Sequence, residues 1–186
     1  MTPIRYAFTV QDIIRWQPTC IDNAELRRRF GPHTHRTPLD AFHANLTYTE
    51  LIWLLLRDEV LPTSSIHKIA CDCAERVIHI FNRYQPNDTR PRQLIDVKRR
   101  WLNDDATKQD VKAARIAAMA SANSANSANH QDAAYAALAT VWASLLDAAN
   151  VKPSLWISRN VGGKTEEVWH MQRIREELIR TGHKMI

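Results

Sequence analysis

The stretch Ser64-Ser65-Ile66-His67-Lys68-Ile69-Ala70-Cys71-Asp72-Cys73-Ala74-Glu75-Arg76-Val77-Ile78-His79-Ile80-Phe81-Asn82-Arg83-Tyr84 decides the fold. Ile66, Ile69, Ala70, Cys73, Val77, Ile80, Phe81 and Tyr84 recur at the three-and-four spacing of one helical face, while Lys68, Asp72, Glu75, Arg76, His79 and Arg83 fall on the other. Thr63, Ser64 or Ser65 can cap the first amides after Pro62, and Pro86 forbids continuation at the far end. A long amphipathic helix is therefore predicted, with one face in a core and one in water.

Working outward, Tyr135, Leu138, Trp142, Leu145 and Ala149 form a narrow seam of the kind one helix presents to another, which places a second helix at the centre of the core. Residues 91–102 read as a helix opened by Pro91, and 107–129 as one capped by Asp105 or Thr107. The latter includes three Ser-Ala-Asn triplets at 121–129, which read either as a frayed helix end or as a loop, helix being favoured because small side chains permit close approach of a neighbour. Residues 9–16, 22–30, 38–45 and 48–59 form shorter helices upstream, 31–37 a loop, and 165–180 a closing helix before Gly182. The total is about eight helices, with at most a short β element at Leu155-Trp156-Ile157-Ser158. Only four glycines are present, too few for the turns of a many-stranded β protein. The expectation is an all-α bundle in which residues 1–62 form an N-terminal helical part packed on a core domain of 63–186.

Three cysteines, Cys20, Cys71 and Cys73, are too few for a secreted disulfide framework, and the longest strongly apolar run, 51–56, is far too short to cross a membrane. A cytoplasmic protein with no membrane segment is expected. With 25 basic and 20 acidic residues the net charge is +5, which permits attraction to nucleic acid or to an acidic protein surface without requiring either. The basic clusters Arg27-Arg28-Arg29 and Lys98-Arg99-Arg100 read as solvated helix faces first.

Motifs of catalysis and cofactor binding fail at named positions. Ser158-Arg159-Asn160-Val161-Gly162-Gly163-Lys164-Thr165 has the outline of a phosphate loop, but Ser158 stands where that loop needs glycine, so a flexible turn is the better reading. Cys71 and Cys73, two apart on a helix, point about 200° apart and cannot grip one ion. His33 and His35 lack a second ligand pair. Neither cysteine has an orienting partner for nucleophilic catalysis, and Glu166 and Glu167 suit the positive end of a helix. No enzyme activity, cofactor or metal is expected.

The connection Asn87-Asp88-Thr89-Arg90-Pro91-Arg92 carries one acid and two arginines, and an arginine fork held by a carboxylate would lock two helices at a fixed angle. Of six tryptophans, Trp101 and Trp142 fall on core-like faces, whereas Trp156 and Trp169 flank the glycine pair and could anchor an interface.

Cys73-Ala74-Glu75-Arg76-Val77, Phe81, Pro86, Asp88, Arg90-Pro91-Arg92, Ile95 and Arg100-Trp101 together resemble the immunity-five-like family of bacterial toxin-immunity systems. The resemblance spans residues 66–180 and is clearest from Cys73 to Trp101. The chain departs from the pattern at Asn82, where an acid is usual, and at His170, where glutamine is common. The resemblance implies a stoichiometric inhibitor of a protein partner, with Asp88, Arg90, Arg92, Trp156 and Trp169 as candidate contact residues. Two alternatives stand beside it: a nucleic-acid binder using Arg27 to Arg29 and Lys98 to Arg100, and a phage-encoded inhibitor of a bacterial defence system such as a CRISPR effector. A metal enzyme built on His33 and His35 is the third class.

Overall fold

The computed structural model describes residues 4–31, 35–147 and 150–184. Among them are nine α-helices, one 3-10 turn and no sheet, only the isolated bridge Phe8 to Arg36. The protein is all-α, as expected. The chain divides into two compact units, one of residues 1–63 with 171–186 and one of 64–170.

In the first unit, side chains set the helix starts. Asp22 accepts from the amides of Ala24 and Glu25 to open α2 (Asn23–Phe30). Reciprocal capping boxes, Thr9 with Asp12 and Thr47 with Glu50, open α1 (Val10–Arg15) and α3 (Tyr48–Leu55). Phe8, Ile13, Leu26, Phe30, Leu55 and Leu61 are buried. The helix predicted over 38–45 is only the 3-10 turn Asp40–His43, because Asn45 takes a left-handed φ of 51° and reverses the chain. Likewise α3 stops short of residue 59, and Arg57 is sandwiched between the rings of Trp16 (5.0 Å) and Trp53 (4.7 Å). At the C-terminal end the His183 Nε2 atom lies 2.8 Å from the Val60 carbonyl oxygen.

The second unit is built on α4 (Thr63–Tyr84), α5 (Arg90–Leu102), α6 (Lys108–Ser127), α7 (Gln131–Ala143), α8 (Lys152–Gly162) and the N-terminal part of α9 (Lys164–Arg180). Ile66, Ile69, Ala70, Cys73, Val77 and Phe81 of α4 are buried, as the periodicity requires. Tyr84 is instead exposed, its ring 4.4 Å from that of His130. The Ser-Ala-Asn triplets continue α6 as far as Ser127, with Ala122 and Ala125 buried and Asn123 and Asn126 exposed. Asn129, at a φ of 61°, ends the run.

Two expectations are corrected here. The seam Tyr135, Leu138, Trp142 does not face the core: Tyr135 is 49% and Trp142 38% exposed, and Leu138 is half-buried. Ala149 lies outside the described residues. What α7 turns toward α5, α6 and α8 is its alanines, Ala133, Ala136, Ala137 and Ala139 among them, together with Val141. Three neighbours around one helix leave room for methyl groups and not for rings, so close backbone approach outweighs the larger apolar area of the aromatic stripe.

The second correction concerns residues 155–158, which lie inside α8 and form no β element. Ser154 and Ser158 are wholly buried and donate back to the carbonyls of Val151 (2.7 Å) and Leu155 (3.0 Å), so serines that weaken a helix in water are satisfied within it. The turn expected over 158–165 contracts to Gly163, whose φ of 75° and ψ of −162° belong to a region essentially restricted to glycine.

Candidate functional site

The wet face of α4 carries Asp72, Glu75 and Arg76 within a little more than one turn, so their side chains project together toward whatever flanks the helix. On one side stands α5. Arg99 donates to Asp72 (2.9 Å) and Glu75 (2.7 Å), and Arg92 reaches the other Glu75 oxygen at 3.5 Å. These charges clamp α4 to α5 along their shared edge. Asp88 does not do so: it accepts two bonds from Arg90, at 2.8 and 2.6 Å, and a third from the Arg90 amide. Held by that guanidinium, the Asp88 carboxyl is drawn down to about 2. The lock expected from the Asp88 to Arg92 connection is thus made by Arg92 and Arg99, while Asp88 and Arg90 stabilise the entry to α5.

On its other side Arg76 grips Glu166 bidentately, at 2.7 and 2.8 Å, and lies 4.5 Å over the Trp169 ring. Glu166 belongs to the first turn of α9, as its reading as a helix-start acid anticipated, but its carboxylate serves chiefly as the seat of Arg76. Gly162 makes room for it. A Cβ there would stand 2.3 Å from the Glu166 Cγ atom.

Behind this clamp His170 is fully buried, with Ser158 Oγ at 3.3 Å and Glu166 Oε2 at 3.9 Å. Burial lowers its pKa to about 4, with Arg76 pushing the same way and Glu166 and Glu167 opposing. Serine, histidine and carboxylate are close, yet both partners approach the same ring nitrogen, Nε2, whereas a hydrolase relay uses one nitrogen for each.

A second buried polar group joins α4 and α5 to the end of α7. Lys98 has no exposed surface, donates to the Leu145 carbonyl at 2.9 Å and lies 3.8 Å over the Trp101 ring. Carbonyls at a helix C-terminus and an aromatic face both favour a cation, and they offset part of its lost hydration. Burial still lowers the Lys98 pKa to about 8. His67, with its ring edge-on to Trp101 at 5.7 Å, is also buried, and neither ring nitrogen has a hydrogen-bond partner among the described residues. Cys71 and Cys73 are buried, and burial pushes the Cys71 thiol up to about 12, far from nucleophilic.

The two basic clusters read as solvated faces are largely engaged. Lys98 is interior and Arg99 is paired, while Arg28 and Arg29 both bond Glu25 and Arg29 also reaches Glu50. His35 is exposed, and His33 lies outside the described residues. No group of three or more potential metal ligands is present among those described. Trp156 is 48% exposed on α8, while Trp169 is half-buried beneath Arg76. The sequence reading missed the buried roles of Lys98, Glu166 and His170. Position 98 sits on the same helical face as Leu94, a spacing that could have placed it inside, but nothing local to Arg76 points to an acid 90 residues away.

Such an arrangement defines a class: an all-helical protein in which charges on α4, α5 and α9 hold helices together. Residues 61–144 match the family model described as Imm-5 like putative immunity protein, so this part of the chain is similar to that family. Neither the comparison with curated proteins nor that with solved structures gives a match. No helix is long and apolar enough to cross a membrane among the described residues.

Proposed function

We propose that this protein is an immunity-type inhibitor that binds a toxic protein or a defence effector stoichiometrically in the cytoplasm, without catalysing a reaction. The observation that carries this reading is the match of residues 61–144 to the immunity family model. Its physical support is the use of the domain's charges. Glu75, Arg76, Arg92 and Arg99 brace helices against one another, so the surface is ordered before a partner arrives and little ordering entropy is lost on binding. With Lys98 buried and Arg99 paired, the second basic cluster leaves only Arg100 for phosphate contacts, which favours a protein partner over nucleic acid. Arg90, Arg92, Asp88, Trp156 and Trp169 are the contact residues to test, Trp156 foremost because its ring is the most open.

The test is co-expression with the product of the neighbouring gene. That product alone should arrest growth of a heterologous host, this protein should restore it, and the two should co-elute as a 1:1 complex that survives nuclease. Rescue without a complex, or a complex lost on nuclease treatment, overturns the proposal. Arg90→Ala/Arg92→Ala and Trp156→Ala variants, checked for native circular dichroism, then ask whether these residues touch the partner.

A further inference from the structure

Helix α6 carries, in an alanine-rich background, a short run of large side chains: exposed Lys108, Lys112, Ile116 and Met119, flanked by half-buried Arg115. Ile116 is 64% and Met119 37% exposed. Positions 112, 116 and 119 follow the four-and-three spacing of one helical stripe, and 108 and 115 adjoin it. Folding gives no reason for these choices. A β-branched isoleucine on a wet helix surface is a poorer helix former than the alanines around it, and it leaves apolar area in water. Lys108 lies in the first turn, where the helix dipole disfavours a cation. None of Lys108, Lys112 and Arg115 has an ion-pair partner among the described residues.

The charge on this face is one-sided. The one acid in the helix, Asp110, is held by Thr107 in the capping box. Asp104 and Asp105 belong to the connection before α6. Toward the C-terminal end the stripe continues into uncharged Asn123 and Asn126. Three cations without an ion-pair partner among the described residues therefore border two exposed apolar side chains, whereas Arg76 of α4, Arg92 and Arg99 of α5 and Arg173 and Arg180 of α9 are each held by a carboxylate.

We infer that this face of α6 is the seat of a protein partner whose surface offers an apolar contact bordered by carboxylates. The inference rests on the inhibitor reading above and names the surface that reading leaves open. Charge complementarity selects the occupant: a second copy of this chain would set cations against cations, and duplex nucleic acid would meet isoleucine and methionine where base edges or stacking rings are read.

The probe is a phage-displayed library of short random peptides, panned against the immobilised full-length protein. Enriched peptides are expected to combine Asp or Glu with Leu, Ile or Phe. Their affinity should fall about tenfold or more for Ile116→Ser/Met119→Ser, and the acidic preference should disappear for Lys112→Glu/Arg115→Glu. Lys112, Ile116 and Met119 are exposed and Arg115 is half-buried, so circular dichroism of each variant is matched to the wild type before binding is read; Trp142→Ser serves as an exposed control that keeps binding. Enrichment of neutral or basic peptides, no enrichment, loss of binding with Trp142→Ser rather than with the α6 variants, or tighter binding of a duplex DNA oligonucleotide than of any peptide overturns the inference. Failure here with growth rescue intact would dismiss the surface and leave the inhibitor reading; failure of rescue with acidic peptides still bound would do the reverse.

Discussion

Gly162 and Glu166 occupy the same space in turn: the missing side chain of the glycine is where the glutamate stem passes on its way to Arg76. A glycine pair that reads in sequence as a loose hinge is thus two different constraints. Gly162 makes room, and Gly163 supplies a backbone conformation that other residues resist.

Gly162→Ala should displace Glu166 and weaken the clamp, while Gly163→Ala should leave the clamp in place and strain the turn by about 1–3 kcal/mol. Urea denaturation of Arg76→Ala, Glu166→Ala and the double variant gives their coupling, expected at about 1 kcal/mol because Arg76 is half-exposed. In the Gly162→Ala background that coupling should nearly vanish. A coupling unchanged by Gly162→Ala would show that the glutamate has another route to the arginine.

His67 and His170 are held neutral, each near 4, below the value of about 6.5 they regain on unfolding. Between those values the unfolded chain binds the extra proton. Stability is therefore complete above about pH 6.5 and declines as pH falls toward 4, by on the order of 3 kcal/mol for each histidine. Urea midpoints from pH 7.5 to 4.5 should show this slope, and His67→Phe or His170→Gln should each remove about half of it. An unchanged slope in both variants would place the acid sensitivity elsewhere.

Lys98 acts in the same direction but in a higher pH window. Its folded value near 8 lies below the unfolded 10.5, so the folded state disfavours the ammonium and stability rises with pH across that interval. Lys98→Met keeps much of the volume and removes the charge, at the expense of the bond to the Leu145 carbonyl. Melting temperature at pH 7 should stay level or rise, and the dependence between pH 8 and 10 should flatten. A fall equivalent to more than about 2 kcal/mol at pH 7 would mean that the charged bond, and not the buried stem, is what α7 needs.

The orientation of α7 is tested by volume. Ala137→Leu, at a fully buried position, should destabilise the protein by about 1–3 kcal/mol through overpacking, whereas Trp142→Ala should change stability by well under the 3–5 kcal/mol of a core tryptophan. If Trp142→Ala proves the more damaging, the aromatic stripe is the true core face.

Helix type was legible in the chain because its cause is local. Ile66 to Phe81 repeat at helical spacing, Thr107 and Asp110 lie at capping-box separation, and Pro86 forbids continuation, whatever lies nearby. The similarity of residues 61–144 to the immunity family model was legible for a similar reason, since the motif that carries it lies within the short stretch from Cys73 to Trp101. The direction each helix faces was not. The residues 135–142 carry both an aromatic stripe and an alanine stripe, and only the crowding of α5, α6 and α8 around α7 makes the smaller side chains the buried ones. The same holds for charge. Arg76 and Glu166, or Lys98 and Leu145, are separated by long stretches of chain, and their pairing exists only once the helices pack and desolvation makes an unpaired group costly. Periodicity and capping therefore determined what the elements are, while packing density and the burial of charge decided which faces stayed exposed.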